Sequence, residues 1–256
     1  MEYSAKLQTE DSGPLSRIVS REEWLEARKA LLQQEKELTR QRDRVNAARL
    51  ALPWVRMEKD YRFQTPSGEK ALGDLFDGRS QLMINHFMFH PDWDAGCEGC
   101  SFFADHIDGM LPHLNNHDVT LVTVSRAPLE KIEAYKRRMN WHFPWVSSSG
   151  SDFNYDFHVS FTREELASGS VNYNFRETPS DQAFDELPGL SAFYRNDRGE
   201  IFHTYSQYAR GGEETLGALM ILDHAPLGRN ETGTLSFVKR KDEYVAKPAE
   251  KAGCCH

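Results

Sequence analysis

Cys97-Glu98-Gly99-Cys100 carries the most chemistry in this 256-residue sequence. A CxxC at the start of a helix sets its first sulfur against unpaired backbone N–H groups. Those groups and the helix dipole favour thiolate, the form that attacks disulfides. Cys97 then reads as the exposed nucleophile and Cys100, one turn further on, as the resolving thiol. Asp94 and Glu98 flank Cys97, and their negative charge works against the thiolate. The expectation is a reducing pair with a moderately lowered thiol pKa, not a strong oxidant. The alternatives are an ordinary buried pair of cysteines or half of a structural metal site.

Two further groups could do chemistry. Cys254-Cys255-His256 ends the chain after a polar, Pro-containing stretch. Adjacent thiols are awkward as a disulfide but suit a soft metal, with His256 or the terminal carboxylate as further ligands. Residues 246–253 extend roughly 26 Å at about 3.3 Å each, enough to bring these thiols to Cys97 and Cys100. The metal alternative therefore comprises Cys97, Cys100, Cys254, Cys255 and His256, against an incidental reactive end. Of the ten histidines, His90 is best placed, seven residues before Cys97. It could favour thiolate as an imidazolium neighbour or bind a metal with the cysteines. His203 and His86 read as satisfied core residues. Trp93, Trp141, Trp145, Phe153, Tyr155 and Phe157 either roof an apolar or peptide site beside Cys97 or simply pack in the core.

Definite elements must position these residues. Leu82 to Phe89 has the content of an interior strand, and Phe103, Ile107, Met110, Leu111 and Leu114 recur at helical spacing after the cysteines. Val119 to Val124 reads as a second buried strand. Pro128 fits the first turn of a helix whose Leu129, Ile132, Tyr135 and Met139 share a face. Tyr61-Arg62-Phe63 begins a short strand before the turn at Thr65 to Gly68. Leu190 to Arg195 and Ile201 to Tyr205 flank a hairpin turn at Asn196 to Gly199. Leu216, Leu219 and Met220 mark a last helix. Upstream, Ser20-Arg21-Glu22-Glu23 is a capping box that opens a long helix running to about Leu52, where Pro53 stops it. Trp24, Leu31, Leu38, Val45 and Leu52 fall at sevenfold spacing on that helix. The stripe packs on its own domain or forms the seam of a homodimer.

Composition sets the class. Hydrophobic residues at 39% and charged residues at 27% suit a globular domain with a sizeable core. The net charge of −8 argues against nucleic acid, which needs a basic face. No apolar run approaches membrane-spanning length, and the N-terminus lacks a signal-peptide plan, so a cytoplasmic protein with no membrane partner is expected. Four cysteines in two close pairs fit redox or metal work better than a secreted disulfide framework. There is no Gly-x-Gly-x-x-Gly, Walker loop or Gly-x-Ser-x-Gly elbow, and no cofactor is expected.

The order βαβαββα, with CxxC after the first core strand, resembles the thioredoxin fold. Phe143-Pro-Trp-Val-Ser-Ser and Ser151 to Val159 resemble the segment between core elements of peroxiredoxins. Ser125-Arg-Ala-Pro-Leu, Phe143-Pro-Trp-Val-Ser, Ser151-Asp-Phe-Asn-Tyr-Asp-Phe and His203-Thr-Tyr-Ser are similar to a thioredoxin-like family catalogued as a domain of unknown function. The likeness runs from about residue 15 to about residue 245. It implies a fold and no settled activity. In thioredoxins a cis-proline stands opposite the disulfide. Pro188 occupies the corresponding place, which implies a substrate-binding role and a bond that is either cis or an ordinary trans turn. Phe89 to Cys97 also resembles the peroxiredoxin loop. However, Pro91 lies one residue nearer the cysteine, Asp94 stands where a threonine hydroxyl would orient peroxide, and Leu187-Pro188-Gly189 offers no arginine.

The reading is an α/β chain: a thioredoxin-like mixed sheet flanked by helices, with a long N-terminal helix and a peroxiredoxin-like insertion. Residues 1–56 form the arm and helix, 57–245 the thioredoxin-like domain, and 246–256 a Cys-Cys-His tail. The expected function is thiol–disulfide exchange on a protein or small-molecule disulfide. Cys97 and Cys100 are its catalytic residues, with Pro188, Trp93 and His90 at the substrate. Soft-metal binding and thiol peroxidase activity are the alternatives.

Overall fold

Ser20 opens α1 (Arg21–Leu50): its hydroxyl accepts the Glu23 N–H at 3.1 Å, and the Glu23 carboxylate accepts the Ser20 N–H at 3.3 Å. This reciprocal cap satisfies two of the helix's orphan donors. No residue of α1 is buried; Trp24, Leu31, Leu38 and Val45 all stay exposed. Ion pairs such as Arg28–Glu35 (2.8 Å) and Arg44–Glu37 (2.6 Å) run along it. The computed structural model describes residues 16–180 and 185–244, and the chain divides into two units, Met1–Leu52 and Pro53–His256. Cys254, Cys255 and His256 lie outside the described residues.

Among the described residues the second unit has ten strands: β1 (Val55–Arg56), β2 (Arg62–Thr65), β3 (Gly68–Ala71), β4 (Gln81–His86), β5 (Val119–Ser125), β6 (Trp145–Ser147), β7 (Ser170–Tyr173), β8 (Arg176–Pro179), β9 (Gly189–Arg195) and β10 (Ile201–Tyr208). Eight form one mixed sheet in the order β1-β10-β9-β4-β5-β6-β2-β3, while β7 and β8 make a separate hairpin. β4 and β5 are parallel; β9 is antiparallel to β4, and β10 to β9. The central order β10-β9-β4-β5 is the thioredoxin-like arrangement.

Period-two alternation divides the core between the faces. Leu82 and Ile84 of β4, with Val122, Val124 and Phe193, enter one cluster with Phe153 and Phe157. Met83 packs against the other cluster, which holds Phe87, Leu121, Trp141 and Trp145. The six aromatics are thus dispersed: Trp141, Trp145, Phe153 and Phe157 are core residues, on two different faces.

Helices α2 (Glu98–Ala104), α3 (Ile107–Asn116) and α4 (Leu129–Arg138) follow β4 and β5, and α5 (Phe153–Asp156) and α6 (Arg163–Ala167) lie in the insertion. After β10 comes α7 (Gly217–Leu222). The apolar spacing after the cysteines suggested one helix, but the helix breaks at Asp105-His106. The His106 N–H bonds to Phe103, one residue short of the α pattern. Side chains hold the break: the His106 Nδ1–H donates to the Phe102 carbonyl (2.8 Å), and the Trp141 indole N–H donates to Asp105 (2.8 Å). Pro128 caps α4 and lies just outside its first turn. Among the described residues no helix is long and apolar enough to cross a membrane.

Candidate active site

Past β4 the backbone runs on through Phe87 to Phe89, and Met88 there holds both ends of the CxxC. The Cys97 N–H donates to the Met88 carbonyl at 3.1 Å, and the Met88 N–H points at the Cys100 sulfur at 3.5 Å. Gly96 is required by contact. A Cβ at that position would stand 2.5 Å from the Phe87 ring and 2.9 Å from the Tyr135 ring. The Gly96 carbonyl accepts two bonds from the Arg240 guanidinium, at 2.8 and 3.0 Å. Ser101 secures the next turn, its hydroxyl donating to the Cys97 carbonyl (2.7 Å) and pairing with the Tyr135 hydroxyl (2.9 Å).

The two thiols are unlike. Cys97, the N-cap of α2, is half-buried, whereas Cys100 is buried. The Cys100 thiol, hydrogen-bonded to the Cys97 sulfur, is the strongest influence on Cys97. With the amides of Cys100 and Gly99 and the Arg240 charge, it outweighs burial and lowers the Cys97 pKa to about 6. Cys100 is pushed well above the ordinary thiol value by that same bond, by burial, and by the charges of Cys97 and Glu186. The acidic flank expected to weaken the nucleophile is offset: Asp94 is exposed, and Glu98 stands 3.6 Å from Arg240.

The cysteines open onto a cavity of about 580 Å³. Its floor is one row across three strands, Asn85, Leu190 and Gln207, which the registers of β4 with β9 and β9 with β10 place side by side. Cys97, Gly99, Cys100 and Phe103 of α2 form one wall. A second wall comes from the Leu187-Pro188-Gly189 turn, Leu216 and Leu235. Tyr173 joins two of these parts, donating to the Pro188 carbonyl at 2.8 Å and accepting the Ala209 N–H at 2.9 Å.

Pro188 lines the same cavity as the two thiols. Among the described residues no peptide bond is cis, so Leu187–Pro188 is trans. Its turn is tied on both sides, by Tyr173 at the Pro188 carbonyl and by the Leu187 N–H bonded to Val159 at 2.9 Å. His90 and Trp93 do not line the cavity. Lys131 donates to the Pro91 and Trp93 carbonyls (2.6 and 3.1 Å) and fixes their turn against α4. There His90 Nδ1 accepts the Asp92 N–H at 3.1 Å, and its Nε2 faces Asp185 at 3.5 Å. Trp93 packs on the aromatic cluster. No group of three or more His, Cys, Asp or Glu able to hold a metal occurs among the described residues.

Around the site lie contacts that sequence reasoning did not supply. Glu186 is 1% exposed and bonds to Arg126 Nε, while the Ser160 hydroxyl donates to it at 3.1 Å. Burial pushes its carboxyl up to about 7 against those partners. Arg126 also bonds to the Tyr155 hydroxyl. On the far face, His86 is held by Ser191 (2.8 Å), Ser191 by Ser206 (2.8 Å), and Ser206 by His203 (2.8 Å). Burial lowers His86 to about 3, so it stays neutral as a core residue. Of these residues only His86, a polar side chain in the apolar run Leu82 to Phe89, stood out in the sequence; Glu186 follows Asp185 in a polar stretch.

A family model described as "Bacterial protein of unknown function (DUF899)" matches residues 14–244. No curated protein matches the chain. Among solved structures, a cysteine-to-serine mutant of PrxQ from Xylella fastidiosa is similar at 17% identity and a TM-score of 0.39, covering 63% of this chain and 88% of that one. A Xanthomonas campestris peroxiredoxin Q mutant stands at 16% and 0.39, covering 64% and 91%. Peroxidoxin BcpB from Mycobacterium tuberculosis stands at 12% and 0.37, covering 66% and 96%.

Proposed function

The chain belongs to the DUF899 family of bacterial proteins of unknown function, and from that footing we propose that it is a thiol–disulfide oxidoreductase working through Cys97 and Cys100. The asymmetry of the pair carries this reading: a half-buried thiol lowered to about 6 beside a buried thiol held protonated. At neutral pH the first is a ready nucleophile and the second a reserve.

The Cys97 thiolate attacks one sulfur of the substrate. The substrate S–S bond breaks, a Cys97–substrate disulfide forms, and the first half leaves as thiolate. Cys100 then gives up its proton and attacks Cys97, releasing the second half. Two electrons pass from the dithiol to the substrate. The released thiolates take up the Cys100 proton and one from solvent, and an external dithiol returns the protein to its reduced state. Pro188, in the lining of the same cavity, supports the substrate at the reacting sulfur. Such a reducing pair suits a reducing compartment, and we place the protein in the cytoplasm.

Peroxidase chemistry has less support, because Asp94 occupies the place of an orienting hydroxyl and is exposed. The test is turnover of a small disulfide with dithiothreitol as electron source. Cys97→Ser should fall to the uncatalysed rate, and Cys100→Ser should accumulate a mixed disulfide on Cys97. Undiminished turnover by Cys97→Ser would refute the assignment, and faster Cys97-dependent consumption of hydrogen peroxide than of any disulfide would replace it with a peroxidase.

A further inference from the structure

The cavity at Cys97 has a chemistry of its own. Its volume, about 580 Å³, falls in the range of sites that enclose whole small molecules. Its surface is mainly apolar, and Phe103, Leu187, Pro188, Leu190, Leu216 and Leu235 are among the residues that line it. The charged groups at it are already closed on one another. Arg210 holds Glu213 at 2.6 Å, and Arg229 holds Glu213 at 2.8 Å and Asp223 at 2.6 and 2.8 Å. The floor amides are partly engaged, Asn85 donating to Thr123 (3.3 Å) and Gln207 accepting from Tyr205 (3.2 Å). A carboxylate or ammonium entering here would shed water and find its would-be counter-ions spent. An apolar group would exchange water for hydrocarbon walls.

Leu235 sharpens the point. Its backbone has φ of +58°, in the left-handed region that leucine seldom occupies. Glu231 holds it there, accepting the Leu235 N–H at 2.8 Å. Its side chain comes to 3.5 Å from where a Cβ would stand on Gly99, and that Cβ would be 3.9 Å from the Cys97 sulfur. An apolar side chain is thus kept beside the nucleophile in a conformation that costs free energy.

We propose that this cavity receives one uncharged alkyl or aryl arm of a low-molecular-weight disulfide, presenting the attached sulfur to Cys97. Charged disulfides such as glutathione disulfide are then poor substrates. This rests on the dithiol reading above and names its substrate class. The bond changes are those already given, with the apolar arm leaving as its thiol.

The experiment compares the full chain's reduction of dipyridyl disulfide, whose aromatic arms are neutral, with dithiobis(nitrobenzoate), whose aromatic arms are charged, and glutathione disulfide. Each rate is divided by that of free dithiothreitol on the same compound, which removes intrinsic reactivity. The neutral aromatic disulfide should lead both charged ones by on the order of tenfold or more, the scale of discrimination a desolvated pocket gives. Leu235→Gln should shrink that lead. As a readout independent of turnover, bibenzyl, which has apolar arms and no sulfur, should slow iodoacetamide alkylation of Cys97, whereas S-methylglutathione should not. Equal or faster Cys97-dependent reduction of glutathione disulfide overturns the substrate class and leaves the dithiol function standing. No Cys97-dependent reduction of any of the three, with no Cys97–Cys100 bond on oxidation, overturns both.

Discussion

The two walls of the cavity are built on opposite principles. On the α2 side the groups that lower the Cys97 pKa are polar, backbone or charged: the Cys100 thiol, the Gly99 and Cys100 amides, and the Arg240 charge that also grips Gly96. On the other side Leu187, Pro188, Leu216 and Leu235 face the same space, with the charges around them paired off. Reactivity is set on one wall and selection is left to the other. A dithiol needs both, because a lowered thiol pKa makes a thiolate available without choosing its partner.

The sharpest test of the division is Cys100→Ala. It should stop turnover and leave Cys97 in mixed disulfides. It should also raise the Cys97 pKa by about one unit or more, since the largest influence on that thiolate is gone. Alkylation rate against pH reads this directly. In the native protein, thiolate grows as pH rises through about 6 and then levels. In the variant that rise should move to higher pH, and an unmoved profile would break the account of the α2 wall.

Next comes Arg126→Met, which strikes what holds the other wall. Glu186 lies immediately before the Leu187-Pro188 turn, and its buried carboxylate would lose its counter-ion. Well above pH 7, where Glu186 is ionised, breaking such a pair should cost about 3–5 kcal/mol, read as a lower denaturant midpoint, and the cost should shrink as pH falls through about 7. A loss within error would show that Glu186 is already neutral or hydrated. Gly96→Ala returns to the thiol wall. Overpacking against Phe87 and Tyr135 should cost about 1–3 kcal/mol and slow Cys97 alkylation at every pH. The smallest effect belongs to Arg240→Met, which should raise the Cys97 pKa by less than about one unit. A shift larger than that of Cys100→Ala would invert the order of causes.

What the sequence made legible follows the range of the forces involved. The CxxC, the capping box at Ser20 and the strands at Leu82 and Val119 depend on neighbours a few residues away, and each stands where its pattern put it. Pro188, singled out through the family resemblance, lines the cavity, and its bond is trans. The break at Asp105-His106 was invisible because Trp141, far along the chain, holds it. Arg240 meets Gly96 across 144 residues of chain and Leu235 meets Gly99 from a stretch without periodicity, so neither had a local signature. His90 and Trp93 were chosen for nearness in sequence to Cys97, but Lys131 draws their turn onto α4. On α1 the sevenfold apolar spacing marked a helix, yet Trp24, Leu31, Leu38 and Val45 remain exposed. Periodicity reports which face is apolar, not what covers it.

The most direct measurement is a glutathione redox titration of the full chain, with differential alkylation and mass mapping of all four cysteines. The account predicts a reversible Cys97–Cys100 disulfide in a single two-electron transition, at a potential within the range of reducing dithiols. Cysteines 97 and 100 that never pair with each other at any poise would contradict it.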